Sequence, residues 1–222
     1  MRLILIGCEY SGTTTLAHAI NEWTKETMGK EFTLIHDHFK LPDTKPHGPE
    51  LTEEEIAQFD ALSPRLTEVI MRHNLYYHTP AQSSSGEDFL GIGIHIEDGI
   101  YGPLYYGYGE PGGLGDRQTI SQNLEQRILN FAPETVLILV KASPEVIAKR
   151  MKENPHKYPV VPEQDISDVL QKFEEAHQNS SIKNKITIDT STATVDETIA
   201  DFAEKIQPYL NESELTSLSQ GK

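Results

Sequence analysis

Apolar residues fall into short unbroken runs that alternate with amphipathic stretches along most of the chain. Leu3, Ile4, Leu5 and Ile6 form the first run, and it stops at Gly7. A run of that length bounded by glycine predicts a strand buried on both faces. Residues 14–28 then carry a helical pattern, so the chain opens as strand, glycine-bearing turn and helix. Residues 32–36 predict a second strand. Residues 37–50 hold three prolines without periodicity, which predicts an exposed loop. Helix starts follow at the acidic residues 53–55 and at Pro64, the second helix running to residue 78. The run Ser83-Ser84-Ser85-Gly86 breaks the pattern.

Residues 89–97, rich in isoleucine and glycine, predict a central strand that delivers Glu97 and Asp98 to its C-terminal edge. The glycines and tyrosines of 99–117 predict a mobile aromatic loop able to close on a substrate, with Tyr105 and Tyr106 as contacts. A helix at 119–131, a buried strand at 135–140 and a capped helix start at Ser143-Pro144-Glu145 come next. A lid region is expected at 150–165, a short strand at 186–188, an amphipathic helix at 195–210 and a disordered polar tail at 211–222. Alternating strands and helices predict one three-layer α/β domain over 1–210, a mainly parallel sheet with helices on both faces.

Composition narrows the function classes. The 222 residues contain no apolar run near the roughly 18 residues a bilayer span needs, and the opening run is shorter than the ~7–15 residues of a signal-peptide core. Cys8 is the only cysteine, which excludes an intrachain disulfide. Together these predict a cytoplasmic protein without a membrane partner. With 34 acidic and 19 basic residues, the formal charge of −15 opposes binding to a nucleic-acid polymer. A small nucleotide or nucleoside-like substrate stays compatible, because a phosphate site is assembled locally.

That site is written in Gly7-Cys8-Glu9-Tyr10-Ser11-Gly12-Thr13-Thr14, which has P-loop spacing except that Thr13 stands where lysine is expected. Backbone N–H groups at a helix N-terminus would cradle phosphates, with Gly7, Ser11, Gly12, Thr13, Thr14 and Thr15 as contacts. The cation that reaches the β- and γ-phosphates is what the substitution removes. Asp37 is a candidate for orienting an acceptor hydroxyl or, alternatively, a loop-start cap. Arg150, Lys152 and Lys157 are either lid cations that replace the lysine or solvated residues.

With these residues in view, the sequence resembles the thymidylate kinase branch of the P-loop nucleoside monophosphate kinases. Gly7, Glu9 and Gly12-Thr13-Thr14-Thr15 keep the frame of its phosphate loop apart from the lysine. The resemblance implies a three-layer P-loop NTPase fold, ATP or another nucleoside triphosphate with Mg2+, and the possibility of a homodimer. It implies Glu9 facing the substrate sugar, Arg72 gripping the acceptor, and Thr14 with Asp98 at the metal. Asp98 matches the aspartate of an Asp-Arg pair whose arginine is Gly99 here. The run from Leu104 to Gly109 is similar to the family's tyrosine-glycine loop, and 136–150 to its approach to the lid.

Three other chemistries fit parts of the sequence. Ser11-Gly12-Thr13-Thr14 resembles the phosphosulfate loop of sulfotransferases, although Tyr10 occupies the lysine position. His36, Asp37, His38 and His47 suggest a metal site. Cys8 is either a redox handle lowered by the helix N-terminus or a small buried side chain. A nucleotide-binding regulatory protein without catalysis is the remaining alternative.

Overall fold

The computed structural model describes residues 1–32, 35–37, 51–79 and 88–220. Five strands, β1 (Arg2–Ile6), β2 (Ile35–Asp37), β3 (Phe89–Ile92), β4 (Val136–Lys141) and β5 (Asn184–Asp189), form one parallel sheet in the order β2-β3-β1-β4-β5. The pairing places Ile4 between Gly91 and Leu137. β1 is central and wholly buried, as its unbroken apolar run requires.

Alternation along β1 divides the core into two layers. Ile4 and Ile6 point into a cluster with Leu75, Ile100, Leu124, Ile147 and Phe173. Leu3 and Leu5 point to the other face, against Leu16, Ile20, Phe202 and Ile206. The second face is covered by α1 (Thr13–Met28), α8 (Val195–Ile206) and α9 (Glu212–Gln220). The first is covered by α3 (Pro64–His78), α4 (Ile94–Tyr101), α5 (Arg117–Phe131), α6 (Pro144–Glu153) and α7 (Ile166–Asn179), while α2 (Glu53–Asp60) precedes α3. This is the three-layer α/β arrangement that the alternating pattern predicts.

Several elements differ from the sequence expectations. The strand expected at 89–97 stops at Ile92, because Gly93 (φ 72°) and Ile94 (φ 43°) turn the chain directly into α4. Glu97 and Asp98 therefore sit on a helix, one turn past the sheet edge. The expected mobile loop at 99–117 is helical to Tyr101 and continues as a π-helical turn, Gly102–Tyr106. Tyr101 and Tyr108 are each 1% exposed, so those rings belong to the core. The tail expected to be disordered forms α9. Asn211 and Glu214 cap it reciprocally, with backbone N–H groups donating at 2.9 and 3.0 Å, and Leu218 packs on the α1 side of the sheet. The loop expected at 37–50, apart from Asp37, and the break at 83–86 lie outside the described residues.

Candidate functional site

The phosphate loop follows from steric limits at its two glycines. At Gly7 a Cβ would lie 2.5 Å from both the Val140 carbonyl oxygen and the Ser11 hydroxyl, so no side chain fits where β1 leaves the sheet. The turn closes with the Ser11 N–H donating to the Cys8 carbonyl at 2.9 Å. Gly12, at φ 98°, caps α1 in the left-handed region that a β-carbon disfavours, and Leu16 donates back to its carbonyl at 2.9 Å. The first N–H groups of α1 have no intrahelical acceptor and open toward solvent. Among the described non-glycine residues, positive φ occurs at Tyr10 (67°) and Ile94, both on strand-to-helix turns at the same sheet edge. Such backbone costs on the order of 1–3 kcal/mol and persists only where its surroundings hold it.

Tyr10 is held by the segment after α6. Its ring stacks on His156 at 4.0 Å between centroids and 18° between planes, and its hydroxyl accepts the His156 backbone N–H at 2.8 Å. Glu9 completes the contact by accepting the backbone N–H groups of Val160 and Val161 at 2.8 and 3.0 Å, and the His156 ring nitrogen at 2.5 Å. The carboxylate that the family resemblance assigns to a sugar is therefore the anchor of the segment after α6.

Arg150 and Thr190 clamp the loop from the opposite side. One Arg150 nitrogen donates to the Tyr10 carbonyl at 3.0 Å, the Ser11 carbonyl at 3.3 Å and the Thr190 hydroxyl at 3.1 Å, while the other donates to the Thr190 carbonyl at 2.7 Å. The Thr190 hydroxyl in turn donates to the Ser11 carbonyl at 2.7 Å. Ser11 is buried, its N–H spent within the turn and its carbonyl on Arg150 and Thr190, so it shapes the loop from beneath. Burial also decides Cys8: desolvation, with Glu9 and Glu97 nearby, pushes its thiol up to about 12. A fully buried neutral thiol is not a redox handle.

The loop opens into a cleft of about 1110 Å³, enough for two small ligands. Gly7, Gly12, Thr13, Thr14, Thr15 and Arg150 line its floor; Glu9, Tyr10, His156, Lys157 and Tyr158 line it on the side of the segment after α6. Asp37, at the C-terminal end of β2, Glu97 and Tyr106 line the far wall with Thr67 and Met71 of α3. Glu97 folds back over Gly93, where a Cβ would lie 2.7 Å from its carboxylate carbon, so this glycine is what lets Glu97 reach the cleft.

Three expected site residues are placed elsewhere. Asp98 is fully buried and faces away from the cleft: Arg117 Nε donates to its carboxylate, and the Tyr108 hydroxyl donates at 2.6 Å. A carboxylate so engaged cannot bind a metal or act on substrate. Arg72 is absent from the described cleft wall and pairs with Glu68 at 3.4 Å. Tyr105 donates its hydroxyl to Asp165 at 3.1 Å, and it is Tyr106 that meets the cleft.

Hard oxygen donors of the kind Mg2+ takes are present on the cleft surface in Thr14, Asp37 and Glu97, so the residues fit that ion. No group of three or more His, Cys, Asp or Glu is arranged to hold a metal among the described residues. His36 instead meets His78, Nδ1 to Nδ1, at 2.9 Å, while His38 and His47 lie outside the described residues. Thr190 and His156 are residues of the cleft that the sequence reading did not single out. Thr190 had a signal in its position just past a strand end; His156 had none.

No protein-family model and no curated protein matches the sequence. No helix among the described residues is long and apolar enough to cross a membrane. Solved structures do match in shape. The YorR protein of Bacillus subtilis, crystallised with phosphorylated GDP, aligns at a TM-score of 0.56 and 17% identity over 95% of this chain and 99% of that one. Thymidylate kinase from Candida albicans aligns at 0.56 and 16% identity, covering 96% and 93%. Deoxyadenosine kinase from M. mycoides with bound dATP aligns at 0.58 and 16% identity, covering 93% and 99%. With its parallel sheet and the loop between β1 and α1, this chain has the three-layer fold of the P-loop nucleoside monophosphate kinase-like proteins.

Proposed function

We propose that the protein binds a nucleoside di- or triphosphate at residues 7–14 and transfers a phosphoryl group to a nucleoside or nucleotide acceptor. The observation that carries this reading is the shared cleft: the loop, the end of β2 and the β3–α4 turn all open into one volume. Donor phosphates would lie on the backbone N–H groups at the start of α1. The acceptor would lie against Asp37, Glu97, Tyr106, Thr67 and Met71. Asp37, on the cleft wall, would accept a hydrogen bond from an acceptor hydroxyl and orient its oxygen for attack.

Thr14 with Glu97 would hold Mg2+, which when bound neutralises charge on the phosphates. Arg150 acts as a positioning residue: its donors go to the Tyr10 and Ser11 carbonyls and to Thr190, so it fixes the loop and lends positive charge from beneath. Lys157 is the movable cation of the lid side. Its side chain is 63% exposed and its ammonium pairs with the exposed Glu53 at 2.8 Å, a contact weak enough to exchange for a phosphate.

A second reading, nucleotide binding without transfer, is favoured by Thr13, which puts a hydroxyl where the phosphates need a cation. Calorimetric titration of nucleoside di- and triphosphates with and without Mg2+, followed by 31P NMR with nucleosides and monophosphates, tests both. Binding with transfer supports the first reading. Binding without transfer to any acceptor leaves the second, and no binding of either phosphate sinks both.

A further inference from the structure

His36 and His78 belong to elements far apart in the chain, and the fold turns the same nitrogen of each toward the other. His36 is the middle residue of β2, and its ring stacks on Phe89 of β3 at 4.8 Å between centroids and 23° between planes. His78 is the last residue of α3. Thr79 fixes that helix end, its backbone N–H and its hydroxyl both donating to the Leu75 carbonyl, at 2.9 and 2.6 Å. The two Nδ1 atoms lie 2.9 Å apart, with the rings nearly perpendicular at 79°. Both side chains are half-buried, so packing holds each ring toward the other.

Two neutral imidazoles that meet nitrogen to nitrogen have two ways to avoid repulsion between their lone pairs. One ring can carry its proton on Nδ1 and donate it, or a cation can take a lone pair from each. The second is bidentate metal ligation. An ion at about 2.05 Å from each nitrogen would see the pair at an angle of about 90°. That is the angle between neighbouring ligands in the square-planar and octahedral sites of Cu2+ and Ni2+, and parting the nitrogens by roughly 0.4 Å gives the tetrahedral angle of Zn2+. The surroundings favour a cation as well. The C-terminal end of a helix carries partial negative charge, His78 stands at that end, and the chain bears a formal charge of −15. Imidazole nitrogen suits these borderline ions and not hard Mg2+, which sets the pair apart chemically from the oxygen donors of the cleft.

We propose that His36 and His78 clip a divalent transition ion, Cu2+, Ni2+ or Zn2+, through their Nδ1 atoms, with water filling the remaining positions. β2 is the edge strand, paired with β3 alone among the described strands, so the clip is a second attachment that ties it to the end of α3. His36 precedes Asp37, which lines the cleft, and the ion thereby steadies the strand end that presents this carboxylate. The site is separate from the phosphate loop, and its test needs no nucleotide.

The test uses the full chain without an affinity tag, stripped with a chelator and then titrated with CuCl2, NiCl2 and ZnCl2 in calorimetry and thermal melts. One ion per chain is expected, with a rise of several degrees in melting temperature at about a hundredfold excess over the dissociation constant. The Cu2+ complex should show electron spin resonance splitting from two imidazole nitrogens. His36→Asn and His78→Asn each put an amide near the place of Nδ1, which keeps a hydrogen bond to the other ring and removes one imidazole ligand. Each should weaken binding about tenfold or more, while the metal-free variants melt close to the metal-free parent. His73→Asn, at an exposed position of the same helix, should leave the affinity unchanged. The proposal is overturned if none of the three ions raises the melting temperature of the stripped parent, which leaves the pair sharing a proton. It is also overturned if either His36→Asn or His78→Asn keeps the parental affinity, which places the ion on other side chains.

Discussion

The Arg150 guanidinium donates to the Ser11 carbonyl at 3.3 Å and to the neighbouring Tyr10 carbonyl at 3.0 Å, so a charged side chain from α6 grips the backbone of the phosphate loop. The guanidinium thereby holds both carbonyls against the α6 side of the turn. Hydrogen bonds to a charged group contribute about 1.5–3 kcal/mol each in favourable cases. Arg150→Ala is expected to weaken nucleotide binding by roughly ten- to a hundredfold in calorimetric titration. Arg150→Lys should recover part of this, since an ammonium reaches one carbonyl but not the fork of contacts. Unchanged affinity in Arg150→Ala would show that the loop holds its shape without the clamp.

Glu9 makes a second, separable contact. Its carboxylate accepts two adjacent backbone N–H groups, from Val160 and Val161, and one nitrogen of His156, which fixes the segment after α6 over the loop. Glu9→Gln keeps the shape and removes the charge, with an expected loss of roughly 1–2 kcal/mol in the stability of the closed segment. Hydrogen exchange at residues 160 and 161 should accelerate about tenfold or more while exchange in β1 stays the same. If exchange in both regions is unaffected, the segment is held by the stacking of Tyr10 on His156 instead.

Much of the architecture is legible in the order of residues. The β1 run, Gly7 and Gly12 specify strand, turn and helix through local sterics alone, and the apolar runs of β3 and β4 show the same buried-strand signature. Helix α7 is the clearest missed element. Ile166, Val169, Phe173 and His177 recur at helical spacing and are buried, but the polar residues between them and the lid before them obscured the pattern. The site is less legible because its carboxylates are sorted by long-range contacts. Glu97 and Asp98 are adjacent, yet only the second meets Arg117 and Tyr108, from elements after it in the chain. Nothing in the pair itself says which one faces the cleft; the helical turn begun at Gly93 decides it.

Buried Glu125 gives the fold an acid limit. Burial pushes its carboxyl up, but hydrogen bonds from His95, the Ser180 hydroxyl and the Ser181 N–H outweigh that and bring it down from 4.5 to about 2. A carboxylate depressed in the folded state stabilises the protein above its unfolded value, and that contribution is lost as pH falls through the folded value. The window therefore runs from about 4.5 down to about 2. The difference is worth on the order of 3 kcal/mol at neutral pH. Glu125→Gln should lower the melting temperature at pH 7 by several degrees and flatten its fall below about pH 4.5. An equally steep acid fall in the variant would place the acid-sensitive group elsewhere.

The substitution that bears most on function is at Thr13. Its side chain lies in the first turn of α1, with the methyl group 3.2 Å from where a Gly7 Cβ would stand, and it lines the cleft floor. Arg150 approaches the same loop but is tied to its carbonyls, so its charge lies beneath the turn and not above the phosphates. A lysine at position 13 would start from the same backbone and extend over the loop toward the β- and γ-phosphates. Thr13→Lys is therefore expected to tighten triphosphate binding by about tenfold or more and diphosphate binding by less, because the added ammonium acts most on the terminal group. Turnover, where an acceptor is found, should rise with it. Titration of the di- and triphosphate against parent and variant checks this directly. Equal gains for both would mean the ammonium acts as general positive charge, and no gain for either would mean that Lys157 of the lid already fills that space.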